Sequence, residues 1–354
     1  MNIRLIHQLP PQSNNPRNSE GAFLRTNNGK ILFAYSRYCA NSCHDHAACD
    51  IAMITSTDEG ESWSVPRVIV PATHFGVQNV MSVSGVEQRD GSLAFYFLIK
   101  ENDGSTSIGR AMTQDNGDSF TSERCVMNCP HHYYVVNNDR LVRLSNGTLI
   151  APASYITSEQ NRLEQRVPMT ATLLFSRNDG ASFEKANIDF TTADPVNHRY
   201  GLQEPGILER EDGSLYFWMR TNYGCQYESE SAGDIHTFTK PRPSIFTSPP
   251  SPMQVKRYEG ITYAIYNPVP RYNGRIMEPG SWGRTPFVIR KSLDGVEFGE
   301  LNIIEDDPTR GYCYPAIFQT NDRHFLLAYC RGDNADGNTL CRLGITKVEI
   351  DSIS

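Results

Sequence analysis

The chain contains no run of about 18 apolar residues, so no segment is long enough to cross a bilayer as a helix. It also lacks a block of like charge. Its 33 Lys and Arg residues are scattered among 40 Asp and Glu, for a net charge of −7. That pattern excludes the clustered basic surface that a nucleic-acid backbone requires. The N-terminus, Met1-Asn2-Ile3-Arg4-Leu5-Ile6-His7-Gln8, lacks the apolar centre of a signal peptide. The expected location is therefore cytoplasmic, or secreted or periplasmic if a leader has been removed. No linker rich in Pro, Gly or Ser divides the chain. The proline-containing stretch from Lys240 to Pro252 reads as a surface loop, so residues 1–354 are expected to form one domain. The nine cysteines are odd in number and scattered, which predicts reduced thiols rather than a disulfide framework.

What the sequence does contain is repetition. Six turn signals open apolar runs: Asn28-Gly29, Asp90-Gly91, Asn146-Gly147, Asp212-Gly213, Asn273-Gly274 and Asn321-Asp322. Asn-Gly and Asp-Gly tolerate positive φ and close tight hairpins. Their spacing of roughly 50 to 65 residues suits one four-stranded sheet plus loops. A second motif is interleaved, Ser/Thr-x-Asp-x-Gly-x-Ser/Thr-aromatic. It occurs as Ser56–Trp63 and Thr113–Phe120, as Ser176–Phe183 with Asn178 for the first Asp, and in shortened form as Ser292–Phe298. Ser231–Phe238 is a degenerate copy. In each, the Asp is expected to accept turn N–H bonds, the Gly to take a conformation closed to other residues, and the ring to pack between sheets.

This repeat resembles the Asp box of the sialidase superfamily. The resemblance implies an all-β, six-bladed β-propeller with four-stranded antiparallel blades. The N-terminal strand around Ile3–Leu9 would complete the last blade, and Asp58, Asp115 and Asp294 would be rim turn residues.

The resemblance also implies a site. Arg17, in Pro16-Arg17-Asn18-Ser19-Glu20, stands where the family has its first Arg, with Glu20 placed to hold it. Arg37-Tyr38 ends an inner strand, and the following loop, His44-Asp45-His46, offers Asp45 as acid/base. The loop also holds Cys39, Cys43 and Cys49, but Cys-x3-Cys with His-x-His matches no zinc-finger spacing, and no metal or cofactor is expected. Glu204, before the Asp212-Gly213 hairpin, matches the family's Glu. Arg220 and Arg284 match its second and third Arg. Tyr314, with the neighbouring Tyr312 as the alternative, matches its nucleophile. Three guanidiniums clamp a carboxylate, and a neutral Tyr escapes the repulsion that a carboxylate nucleophile would meet.

A polar and aromatic cluster, Pro130-His131-His132-Tyr133-Tyr134 with Asn137-Asn138-Asp139-Arg140, is expected to line the substrate pocket, and its His131, His132, Asp139 and Arg140 join Arg37 and Tyr312 as expected substrate contacts. With His198, Arg199 and Tyr200 it points to a sugar other than plain N-acetylneuraminic acid. The implied function is an exo-acting hydrolase that releases a terminal acidic sugar from a glycan or glycoside. Two other readings stand beside it. One is a propeller glycosidase of the exo-arabinanase kind, with Glu204 and either Glu20 or Asp45 as its two carboxylates. The other is a carbohydrate-binding propeller without catalysis.

Overall fold

The Asn-Gly and Asp-Gly turns join pairs of apolar strands, and five of the six do so where expected. In the computed structural model, which describes residues 1–162, 167–191, 200–269 and 279–354, Gly29, Gly91, Gly147 and Gly213 all have positive φ in these turns. The fifth hairpin is the exception. It falls at Glu259-Gly260, between Gln254–Tyr258 and Ile261–Tyr266, while the proposed turn at 273–276 lies outside the described residues. Glu259 takes the positive-φ position normally held by Asn or Asp (φ 49°), so the sequence carries no hairpin signature there.

Six sheets form a ring, each beginning with its innermost strand. Blade one is Arg17–Arg25, Ile31–Tyr38, Cys49–Ser56 and Arg67–Val70. Blade two is Val80–Glu87, Leu93–Lys100, Thr106–Thr113 and Thr121–Arg124. Blade three departs from the four-stranded expectation. Its inner strand is split into His132–Val135 and Val142–Arg143, and Val126–Asn128 adds a parallel outer strand beside Ser182–Lys185. Blade four begins with Gln203–Glu209 and Leu215–Arg220, blade five with Gln254–Tyr258 and Ile261–Tyr266, and blade six with Cys313–Gln319 and His324–Cys330. Ile3–Leu9 pairs with Leu343–Glu349, so the two chain ends close blade six and leave no open edge there. Lys347, almost wholly buried, pins this closure through Glu61 and Asp322, each at 2.8 Å.

The Asp-box residues sit between the third and fourth strands, on the rim. Asp58 accepts from the Ser62 N–H at 2.9 Å, and the Ser56 hydroxyl caps the Gly60 N–H at 2.9 Å. Asp115, Asn178 and Asp294 repeat the pattern, and Asp234 makes a related turn with His236. Apolar side chains fill the spaces between blades, as in the cluster of Phe95, Phe97 and Ile99 with Leu32, Ala34 and Met53.

The inner strands combine a register slip with a left-handed residue. In blades one, two, four and six the register slips, between Ser19 and Ala22, Met81 and Ser84, Gln203 and Gly206, and Cys313 and Ala316. Within each slip one residue adopts a left-handed conformation: Glu20, Ser82, Glu204 and Tyr314, with φ of 54°, 61°, 44° and 56°. Asp139, in the gap between the two inner strands of blade three, does the same (φ 57°). Such a bulge re-aims a side chain that strand alternation would send elsewhere. It costs about 1–3 kcal/mol at each non-glycine residue, which marks positions held for function.

Deleting residues 1–9 removes the closing strand and exposes the edge of Leu343–Glu349. The melting temperature is expected to fall by about 10 °C or more, with aggregation on heating, as read by calorimetry and light scattering.

Candidate active site

Four of the five left-handed residues converge on one cavity of about 380 Å3. Glu20, Ser82, Glu204 and Tyr314 all line it, together with Asp45, Lys100, Tyr133, Asn137, Arg220 and Arg284.

At its centre, Tyr314 Oη donates to Glu204 Oε1 at 2.8 Å, and Arg220 Nη1 donates to Glu204 Oε2 at 2.5 Å. Both oxygens of the buried carboxylate are thus engaged. Backbone packing holds this arrangement. A Cβ on Gly206, two residues after Glu204, would lie 2.1 Å from the Trp218 ring and 2.8 Å from an Arg140 nitrogen, so only glycine fits behind the bulge. Burial pushes the Glu204 carboxyl up, but Arg220, the Tyr314 hydrogen bond and Arg284 outweigh it and hold it below its ordinary range. Burial and the Glu204 charge raise the Tyr314 phenol well above its ordinary value, while Arg220 and Arg284 pull the other way. Glu204 is therefore ionised and Tyr314 protonated at neutral pH.

Arg284 approaches from the opposite side. Its guanidinium donates to Cys313 Sγ at 3.0 Å and to the Pro250 carbonyl at 3.1 Å, and it lies 5.1 Å from the Trp282 ring centre and 5.7 Å from that of Tyr314. Among the described residues it has no carboxylate partner.

Arg17 sits beneath the cavity wall, 1% exposed, with Tyr38 stacked on it at 4.3 Å. Its donors go to Ser19, the Cys43 carbonyl, Glu20 at 2.7 Å and Asp45 at 2.5 Å. Glu20 is buried and also accepts from Ser82. Burial raises its carboxyl above the ordinary range, against the pull of Arg17 and Ser82. Asp45, by contrast, stands open to the cavity, with a side chain 59% exposed. Protein surrounding it works against its charge, yet the Arg17 field and hydrogen bond, with Lys100 and His44 adding, hold its carboxyl down at about 2.

Six further expected contacts, Tyr312, Arg37, His131, His132, Asp139 and Arg140, are not among the residues that line this cavity. Tyr312 is fully buried between Phe287 and Tyr329, because it precedes the bulge and points to the blade interface. Arg37 faces a separate cavity with Asn15, Tyr35 and Arg67; strand alternation gives the site side to its neighbour Tyr38. His131 pairs with Asp103 at 2.6 Å on the rim, and His132 stacks on Tyr155 at 4.9 Å. Asp139 and Arg140 tie the hub together below the site. Asp139 accepts from Lys256 at 2.6 Å and from the Ile317 N–H at 3.1 Å, and Arg140 donates to Gln254 at 2.7 Å over the Trp218 ring. Tyr200 lines the cavity, while His198 and Arg199 lie outside the described residues.

A family described as a BNR repeat-like domain matches residues 39–327. The chain belongs to that family. Among solved structures, the BNR-repeat propeller is similar to the Hadza microbial sialidase Hz136 (15% identity, TM-score 0.74), covering 96% of this chain and 66% of that one. The NanB sialidase of Streptococcus pneumoniae gives 13% identity and a TM-score of 0.72, with coverage of 99% and 71%. The Trypanosoma rangeli sialidase in complex with sialic acid gives 13% and 0.68, with coverage of 99% and 58%. The chain thus spans just under two thirds of Hz136 and less of the trypanosomal enzyme. No curated protein sequence matches it.

Sequence reasoning on this BNR-repeat chain missed Lys100 and Ser82, and it held Tyr133 and Asn137 within the pocket-lining cluster without singling them out. Lys100 carried a usable signal. It ends the apolar strand Leu93–Lys100 as Arg220 ends Leu215–Arg220, and both face the cavity from second strands. Tyr133 lies between His131 and the rest of the cluster, but alternation turns it and Val135 inward and His132 outward.

Replacing Arg17 by Met leaves the Glu20 carboxylate buried and unpaired. Urea unfolding at pH 7 is expected to show a loss of about 3–5 kcal/mol. The raised Glu20 carboxyl takes up a proton as pH falls, so the loss should shrink toward pH 4. A loss independent of pH would contradict the pairing.

Proposed function

We propose that this propeller is a glycoside hydrolase releasing a terminal acidic sugar of the sialic acid type, with Tyr314 as nucleophile. The observation that carries this reading is the 2.8 Å hydrogen bond from the Tyr314 phenol to an ionised, buried Glu204. A phenol is a poor nucleophile until its proton leaves, and a carboxylate in hydrogen-bond contact takes that proton as the new bond forms. Because both Glu204 oxygens are occupied, Glu204 is better placed as the base than as the attacking group. This favours the tyrosine scheme over a two-carboxylate one.

In the proposed reaction Tyr314 Oη bonds to the anomeric carbon as the bond to the leaving oxygen breaks. Glu204 accepts the phenol proton and Asp45 donates one to the leaving oxygen. Water then attacks the same carbon and gives a proton to Asp45, while the phenolate departs and regains its proton from Glu204. Arg220 and Arg284 line this centre and suit the sugar carboxylate, Arg284 having no carboxylate partner among the described residues.

Asp45 with a carboxyl at about 2 is ionised and has no proton to donate. Arg17 causes that low value, and of the two carboxylates paired with Arg17 only Asp45 is exposed. A sugar carboxylate that takes the place of Asp45 on Arg17 frees Asp45 and removes the charge that held it ionised, so binding arms the acid.

Two outcomes follow. Tyr314→Phe is expected to lower kcat on an aryl sialoside by about 10^3-fold or more while changing the Kd of a non-hydrolysable analogue less than about threefold. Turnover at the wild-type level would sink the tyrosine scheme. Binding of that analogue should also take up protons between about pH 2 and 4, because the Asp45 carboxyl rises from its depressed value toward its ordinary one. Affinity therefore strengthens as pH falls through this window. Calorimetry in buffers of different ionisation enthalpy reads the uptake, and Asp45→Asn should abolish it.

A further inference from the structure

The wall contributed by blades two and three is lined by hydrogen-bond donors. Lys100 ends its strand with the ammonium in the cavity, donating to the Asp45 backbone carbonyl, and among the described residues no carboxylate pairs with it. Two of its three N–H bonds are therefore available. Asn137 lines the same wall, only 3% exposed, and its side-chain Nδ2 has no acceptor in the described structure. A buried amide N–H without a partner costs about 1–3 kcal/mol, so its retention on a cavity wall points to a ligand acceptor. The Tyr133 phenol adds a third donor. Burial, with the Asp45 and Glu20 charges, raises it above its ordinary value and keeps its proton on. Between them Met81, Leu98 and Val135 supply an apolar floor, which strengthens any charge-assisted bond made above it.

The charge balance points the same way. Among the described residues that line the cavity, or pair with a carboxylate that lines it, four cations (Arg17, Lys100, Arg220, Arg284) face three carboxylates (Glu20, Asp45, Glu204). Once Asp45 takes up the proton it needs as an acid, the cations exceed the carboxylates by two. The anomeric carboxylate balances one. The other lies at Lys100, three blades round the ring from the blade that carries Arg284.

We propose that Lys100, Asn137 and Tyr133 form a second acidic-group subsite, and that the preferred sugar bears a further anionic substituent, a sulfate ester or a second carboxylate, besides the one on its anomeric carbon. This rests on the acidic-sugar reading above and deepens it. It also gives the blade-three cluster a role: Tyr133 and Asn137 face the substrate while their histidine neighbours face the rim.

The test compares the aryl glycoside of N-acetylneuraminic acid with the same glycoside bearing one sulfate ester, or one carboxymethyl ether, on each free hydroxyl in turn. At least one substituted compound is expected to exceed the parent in kcat/KM by about tenfold or more, through KM. Whether the sulfate or the carboxylate series shows the gain identifies the group. In Lys100→Met the ratio of substituted to parent should collapse to about one, and in Lys100→Arg it should survive. Taking the ratio cancels any disturbance of the Asp45 loop. The same ratios are measured as Kd by calorimetry with the corresponding unsaturated, non-hydrolysable acids. A Lys100-dependent binding gain without any hydrolysis would uphold the subsite and remove the hydrolase reading. Hydrolysis of the parent with no gain for any substituted compound, or a gain retained in Lys100→Met, would overturn the subsite and leave the hydrolase reading standing.

Discussion

The arrangement depends on left-handed bulges in the innermost strands. A regular strand ending at the hub would alternate its side chains between the two adjacent blade interfaces. Slipping the register at Glu20, Ser82, Glu204 and Tyr314 turns four polar groups from four blades onto one cavity instead. Each bulge is conformationally costly, and the ring of packed sheets around it supplies the rigidity that keeps it. Blade five, whose inner strand Gln254–Tyr258 pairs in regular register, contributes its Arg284 from a loop.

Electrostatics then sets the carboxylates apart. Three carboxylates share one small space but are tuned apart: Glu20 is raised, Glu204 is lowered, and Asp45 is held far down by Arg17. Groups that sit close together yet titrate apart are the usual sign of divided acid and base duties. The Arg17 contacts separate a permanent duty, holding buried Glu20, from an exchangeable one, holding exposed Asp45.

Much of the architecture was legible in the chain. The hairpin turns and Asp boxes are local signals, written in residues that adopt positive φ or cap backbone N–H groups, so they could be counted along the chain, and the family resemblance they carry implied the ring. The fifth hairpin escaped because Glu259-Gly260 has no Asn or Asp. The split inner strand of blade three escaped because Asn137-Asn138-Asp139-Arg140 reads as a polar loop. Tyr314, Glu204, Arg220 and Arg284, chosen by matching the family's order of residues relative to the turns, line one cavity. Tyr312, Arg37, Asp139 and Arg140 were misassigned because sequence distance does not tell which side of a bulged strand a residue faces. Lys100 was missed, and Asn137 was not singled out within its cluster, because their importance lies in what they do not pair with, which only three-dimensional contacts reveal.

The most direct test of the account is mass spectrometry of the protein after incubation with a 2,3-difluorosialic acid, the reagent found as a covalent intermediate on the structurally similar Trypanosoma rangeli sialidase. The account predicts a stable sugar adduct on the peptide containing Tyr314 and on no other. An adduct on Glu204 or Asp45, or full turnover of sialosides with no adduct at all, would contradict it.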